Sequence, residues 1–134
     1  MKTKKSMKTK KSVKVKKSIK TKKDLLIIER KRWLRGESES TSQLFRREDK
    51  KMCCLGFFAR KCGYTIKDIE EAFTPQDCAL NKFPNWLVYK HTGTNTDTGS
   101  RLMSINDNQE LNEKAREKEI LEVFKENGIS VVFK

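Results

Sequence analysis

The sequence predicts a small single α+β domain, with one short antiparallel sheet and two main helices, behind a disordered lysine-rich tail. Three observations carry this. Aliphatic runs suited to buried strands stand near both ends of the body, Leu25 to Glu29 and Ile129 to Phe133. Between them, Met52, Leu55, Phe58, Ala59 and Cys62 are spaced for one helical face, as are Ala115, Ile120, Leu121, Val123 and Phe124 in some subset. A chain of 134 residues has room for one core of ordinary density. The expected division is a tail over 1–23 and a globular domain over 24–134.

The tail is one hexapeptide written four times, MKTKKS, MKTKKS, VKVKKS and IKTKKD. As a helix, its six-residue period turns the apolar positions Met1, Met7, Val13 and Ile19 through about 600°, which scatters them around the axis. As a strand, their face also carries Lys5, Lys11, Lys17 and Lys23, so repulsion opposes any packed form. Disorder in isolation follows. The near-identity of the copies points to a short tandem duplication in the coding sequence.

Beyond Asp24, the polar stretch Arg30 to Gly36 follows the first strand, and Glu37 to Ser42, ESESTS, has the composition of a loop. Gly63 is placed to cap the helix that begins near Met52. A shorter helix is expected from Thr65 to Phe73, with Thr65 as its cap and Ile66, Ile69 and Phe73 inward. Thr74 to Asp77 reads as a turn or a first helical turn, with Pro75 tolerated there. Asn85 to Lys90, NWLVYK, is expected as a strand, His91 to Ser100 as a mobile loop, and Arg101 to Ile105 as an extended segment. The clearest helix spans about Glu113 to Asn127, between Asn112 as cap and Gly128 as stop, and the last strand follows it.

Charge divides along the same lines. The formal net charge is +13, yet twelve of the 31 basic residues lie in the first 23 positions, where there is no Asp or Glu. The remaining nineteen face 18 acids, so the body is almost neutral. A single-signed block of this kind binds phosphate backbones by releasing counterions, without base preference. Its candidate contacts are Lys4, Lys5, Lys10, Lys11, Lys16, Lys17, Lys22 and Lys23. Arg30, Arg32 and Arg35, beside Trp33 and with Phe45-Arg46-Arg47 behind them, could extend the footprint, since Arg forks grip phosphates and Trp stacks on bases. A solvated surface with Trp33 anchored in the core is the competing account of the same residues. The tail lacks the aromatic and Leu residues with which interfacial helices enter a bilayer, and no apolar run suits a secretory signal or a membrane span.

Several motifs together resemble a family of small uncharacterised proteins of bacteriophages and prophages. They are MCCLGF at Met52 to Phe57, Trp33 closely followed by Arg35-Gly36, LMSIND at Leu102 to Asp107, and a closing helix followed by Gly-Ile-x-Val-x-Phe. The resemblance covers roughly 25 to 133 and leaves out the lysine repeat. It implies a phage or prophage origin and a place in the cytoplasm of an infected bacterium. It supplies no reaction and no cofactor.

The chemistry-bearing residues give weak patterns. Cys53, Cys54, Cys62 and Cys78, with the sole histidine His91, could in principle hold zinc, but no two thiols stand in a C-x₂-C pair. Adjacent cysteines on a helix point about 100° apart. Cys54-Leu55-Gly56-Phe57 is superficially like the start of a cysteine-peptidase helix, with His91 as the available base and Asn95 or Asp97 as a third member. Against both stands a reading of Cys54 and Cys62, with Cys53 a weaker third, as small core residues. Asn106-Asp107-Asn108 lacks the Gly and Glu of a calcium loop and reads as a turn held by its own side chains at a helix entrance. The expectation is therefore a non-enzymatic accessory protein. Its tail would hold nucleic acid or a nucleoprotein and its body a host protein, for example as a counter-defence inhibitor of the anti-CRISPR type. The alternatives are a cysteine hydrolase using Cys54 and His91, or a small zinc-binding domain.

Overall fold

The computed structural model describes residues 24–37, 42–90 and 97–134. The lysine repeat, most of the ESESTS segment, and His91 with its neighbours to 96 lie outside the described residues. Within them, five helices and a two-stranded sheet form a mixed helix and strand fold, with elements β1 (Leu25–Ile28), α1 (Cys54–Lys61), α2 (Ile66–Ile69), α3 (Asn85–Val88), α4 (Thr98–Asp107), α5 (Glu113–Glu126) and β2 (Ser130–Phe133). Single 3₁₀ turns lie at Arg30–Arg32, Pro75–Asp77 and Leu80–Lys82.

The two terminal strands pair with each other, Leu25 opposite Ser130 and Ile28 opposite Phe133, but the pairing is parallel and not antiparallel. Backbone bonds from Lys134 N to Ile28 O (3.0 Å) and from Arg30 N to Lys134 O (2.7 Å) prolong the ladder. The reason for the correction is physical. Alternation with period two says which side chains face inward, here Leu26, Ile28 and Val131, whatever the strand direction. Direction is set by the crossover, and every helix among the described residues lies between β1 and β2. α5 packs against β2, and the turn between them reverses the chain.

Helix ends are set locally. Thr65 Oγ1 accepts from Asp68 N (3.2 Å) while Asp68 Oδ2 accepts from Thr65 N (2.9 Å), a reciprocal box at the start of α2. Asn112 Oδ1 accepts from Ala115 N (2.8 Å) at the start of α5. Gly63 (φ +103°) and Gly128 (φ +83°) close α1 and α5 in the left-handed region that other residues resist. Gly56 serves a different need: a Cβ there would stand 1.9 Å from Leu44 O, so α1 lies directly against the chain before it.

Three expected elements differ. NWLVYK is not a strand; α3 makes one helical turn after Pro84, burying the consecutive Leu87 and Val88, which strand alternation could not do. Arg101 to Ile105 is not extended but is the centre of α4, whose start at Asp97 and Thr98 reaches into the expected loop. Asp97 Oδ1 accepts from Ser100 N (2.6 Å), and Leu102 and Ile105 are buried one turn apart. Weak formers such as Thr98, Gly99 and Ser100 hide this helix from propensity, and packing overrides them. Finally, α2 stops at Ile69 because Glu71 takes φ +67°, so Phe73 is 45% exposed where it was expected inward. Met52 is buried just ahead of α1, and Leu121 faces solvent.

The core is one cluster. Phe58 meets Phe83, Trp86 and Phe124 at centroid distances of 6.3, 5.6 and 5.2 Å, tying α1 to α3 and α5. Trp33, 1% exposed, packs on Phe133 from β2. No helix among the described residues is long and apolar enough to cross a membrane.

Candidate functional site

The arginines proposed for phosphate contact stand where β1 leaves the sheet. Their heads meet carboxylates of α5 and of neighbouring turns. Arg30 donates through Nε and Nη2 to both oxygens of Glu117 (2.7 and 2.9 Å), which raises the Arg30 pKa. Arg35 forks onto Glu113, donates to the carbonyls of Arg30 (2.9 Å) and Trp33 (2.8 Å), and lies 4.5 Å over the Trp33 ring. The hydrogen bond from Arg35, despite partial burial, draws the Glu113 carboxyl below its ordinary pKa. Arg32 reaches Glu29 at 3.7 Å. Arg46 bridges Glu37 and Asp49, and Arg47 contacts Glu70 and Glu71. A phosphate arriving at Arg30 or Arg35 therefore has to displace a carboxylate that also fastens α5 to the β1 end.

The cysteines are buried or half-buried free thiols. Cys53 is the N-cap of α1 and Cys54 its first residue, so Cys54 sits at the helix end that lowers a thiol pKa. Burial wins: it pushes Cys54 well above its ordinary value and Cys53 up to about 12. Cys62 and Cys78 are each pushed up to about 11 by burial. The pairing of Cys54 with His91 falls outside the described residues. Among those residues, no three His, Cys, Asp or Glu side chains gather as ligands for a metal ion.

The polar centre of the molecule is Asn106, fully buried in the last turn of α4. Its Oδ1 accepts from Trp33 Nε1 (2.8 Å) and from Cys54 N (3.0 Å), and its Nδ2 donates to Leu34 O (2.9 Å) and Asp107 Oδ1 (3.0 Å). Its backbone carbonyl takes Gly36 N at 2.8 Å. One amide thus joins the post-β1 segment, the start of α1 and the end of α4. Asn106 and Asp107 were expected at a helix entrance and instead end a helix; Asn108 does hold a turn, its Oδ1 accepting from Glu110 N (2.8 Å). Arg116 of α5 is buried: it bonds Glu113 (2.7 Å) and the carbonyls of Asn108 (2.5 Å) and Leu111 (3.0 Å). An Asn in LMSIND, one turn after Leu102, was the available signal for the hub. Nothing local marks Arg116.

Clefts open on the surface among the described residues, one of about 320 Å³ lying between the end of α5 and β2, beside Leu121, Lys125 and Val131. Another, of about 730 Å³, runs beside one face of α4, lined by Ser100, Met103, Ser104 and Asp107 with Phe73 and Thr74. A third, of about 250 Å³, lies between α1, α3 and the entry to β2, lined by Phe58, Lys61, Cys62, Pro84, Trp86 and Ile129. Comparison with protein-family models, with curated proteins and with solved structures finds no match.

Proposed function

We propose that this chain is a non-enzymatic accessory protein whose lysine segment holds nucleic acid or a nucleoprotein while its folded part meets a protein partner. In its concrete form it is a phage- or prophage-encoded counter-defence factor of the anti-CRISPR type, acting in the cytoplasm of an infected bacterium. The observation that supports it is the segregation of charge. Twelve lysines without one acid precede the fold, while Arg30, Arg35, Arg46 and Arg47 are engaged with carboxylates. Uncompensated positive charge therefore belongs to the lysine segment, and counterion release is its means of binding. Burial of Cys54 and the upward push on its thiol weigh against the hydrolase alternative.

The test is binding of the full chain, and of a chain lacking residues 1–23, to RNA and duplex DNA across a range of salt. The full chain binds with a steep negative dependence on salt, and the shortened chain loses that binding. Equal binding by both would move the site to the folded part, and no binding by either would end the nucleic-acid reading.

A further inference from the structure

We propose that the outer edge of β2, with the cleft between it and the end of α5, is a docking groove for an extended segment of a partner protein that carries an aliphatic and an acidic side chain two positions apart. This goes beyond the reading above and rests only on its statement that the folded part meets a protein. The first support is the phase of the ladder. Lys134 gives its N–H to Ile28 O (3.0 Å) and takes the Arg30 N–H at its own carbonyl (2.7 Å), so both its backbone groups point at β1. Successive residues of a strand turn these groups to opposite sides, so Val132 also turns to β1, while Val131 and Phe133 turn away from it. Among the described residues, these outward groups have no hydrogen-bond partner. Sheet edges are usually blunted by Lys, Pro or a bulge. Ser130–Phe133 reads SVVF in unbroken register, and Val132 is 44% exposed.

The second support is what lies beside that edge. The cleft is lined by Leu121, Lys125, Gly128, Ile129, Ser130 and Val131, with no carboxylate in this described lining. Lys125 is exposed and makes no ion pair with a described residue. A strand added along β2 alternates its side chains, and those turned toward α5 enter the cleft. Leu121 and Lys125 stand one helical turn apart, about 6 Å. Side chains two apart on a strand are spaced by about 6.7 Å. An aliphatic residue against Leu121 and an acid against Lys125 therefore fit with one residue between them. A second copy fits poorly. Two β2 edges paired about a two-fold axis run antiparallel, which brings Lys134 of one toward Lys125 of the other, like charge to like.

The test is amide hydrogen exchange of the isotope-labelled full chain, followed by NMR. The probes are blocked peptides of about ten serine and threonine residues with a central Val-Thr-Glu, and two controls, Val-Thr-Lys and Thr-Val-Glu, the last keeping the composition and losing the spacing. Val-Thr-Glu slows exchange at the Val131 and Phe133 amides about tenfold or more and leaves Val132, already bonded to β1, within about twofold. Both controls bind about tenfold more weakly, and Lys125→Glu reverses the preference between glutamate and lysine. This readout is specific to the edge, so contacts of an acidic peptide with the lysine segment do not register in it. Binding without slowed exchange at Val131, equal binding of all three peptides, or no binding would each overturn the groove. Protection of Val131 in the chain alone that is lost on dilution would give the edge to a second copy and overturn it as well. None of these outcomes changes the salt-dependent nucleic-acid binding that tests the reading above, so the two fail separately.

Discussion

Replacing Asn106 by Ala removes one side chain and leaves three buried groups without their partner: the Trp33 indole N–H, the Cys54 backbone N–H and the Leu34 carbonyl. Trp33, Leu34 and Cys54 are each 1% exposed or less, so water reaches none of them without opening the core. A buried polar group stripped of its partner costs about 1–3 kcal/mol, so for three of them the loss comes to roughly 3–9 kcal/mol. That is a large part of the 5–15 kcal/mol or so by which domains are stable. Urea unfolding followed by circular dichroism measures it. With a slope of about 1.5 kcal/mol/M the midpoint falls by about 2 M or more. Asn106→Asp separates the contributions, since it keeps both acceptor bonds, loses both donations and sets a second carboxylate beside Asp107. Burial and the neighbouring charge favour its protonated form in the fold, so the variant is less destabilised at pH 4 than at pH 7. A loss below about 1 kcal/mol for Asn106→Ala would refute the idea that this amide is the junction of the fold.

Three further outcomes are expected. Gly56→Ala places a Cβ 1.9 Å from Leu44 O and 2.8 Å from the Met52 side chain, a clash with backbone that cannot rotate away; stability falls by about 3 kcal/mol or more in the same urea assay. Folding raises the Cys53 thiol to about 12 from an ordinary value of 9.0, so its contribution is intact below pH 9 and is lost as pH climbs toward 12. Melting at pH 10 against pH 7.5 shows a loss on the order of 1 kcal/mol from this thiol, and Cys53→Ala narrows the difference. Arg30→Gln removes an exposed, solvent-screened ion pair and leaves the urea midpoint nearly unchanged. It also leaves nucleic-acid affinity within about twofold in an anisotropy assay, because Arg30 is spent on Glu117.

How much of this was legible in the sequence depends on how local each feature is. The caps at Thr65 and Asn112, the stops at Gly63 and Gly128, and the closing helix and strand rest on interactions within a few residues, and all were readable. The burial of Cys53 and Cys54 followed from their place in an apolar helical stretch. α4 was missed because its first turn is made of residues that favour loops, and only contacts made across the fold, Leu102 and Ile105 in the core and Asn106 in its network, hold it helical. α3 was missed because a four-residue apolar run has no period to read.

The candidate site divides in the same way. Composition alone placed the positive charge before the fold, since charge is a property of the residues wherever they lie. Whether Arg30 and Arg35 were available to a phosphate depended on residues some eighty positions away, because Glu113 and Glu117 come opposite Arg35 and Arg30 only when α5 packs beside the β1 end. The parallel sense of the sheet had the same origin. A strand's pattern names its buried face and is silent on its direction, and the direction was decided by the helices that must fit between the two strands.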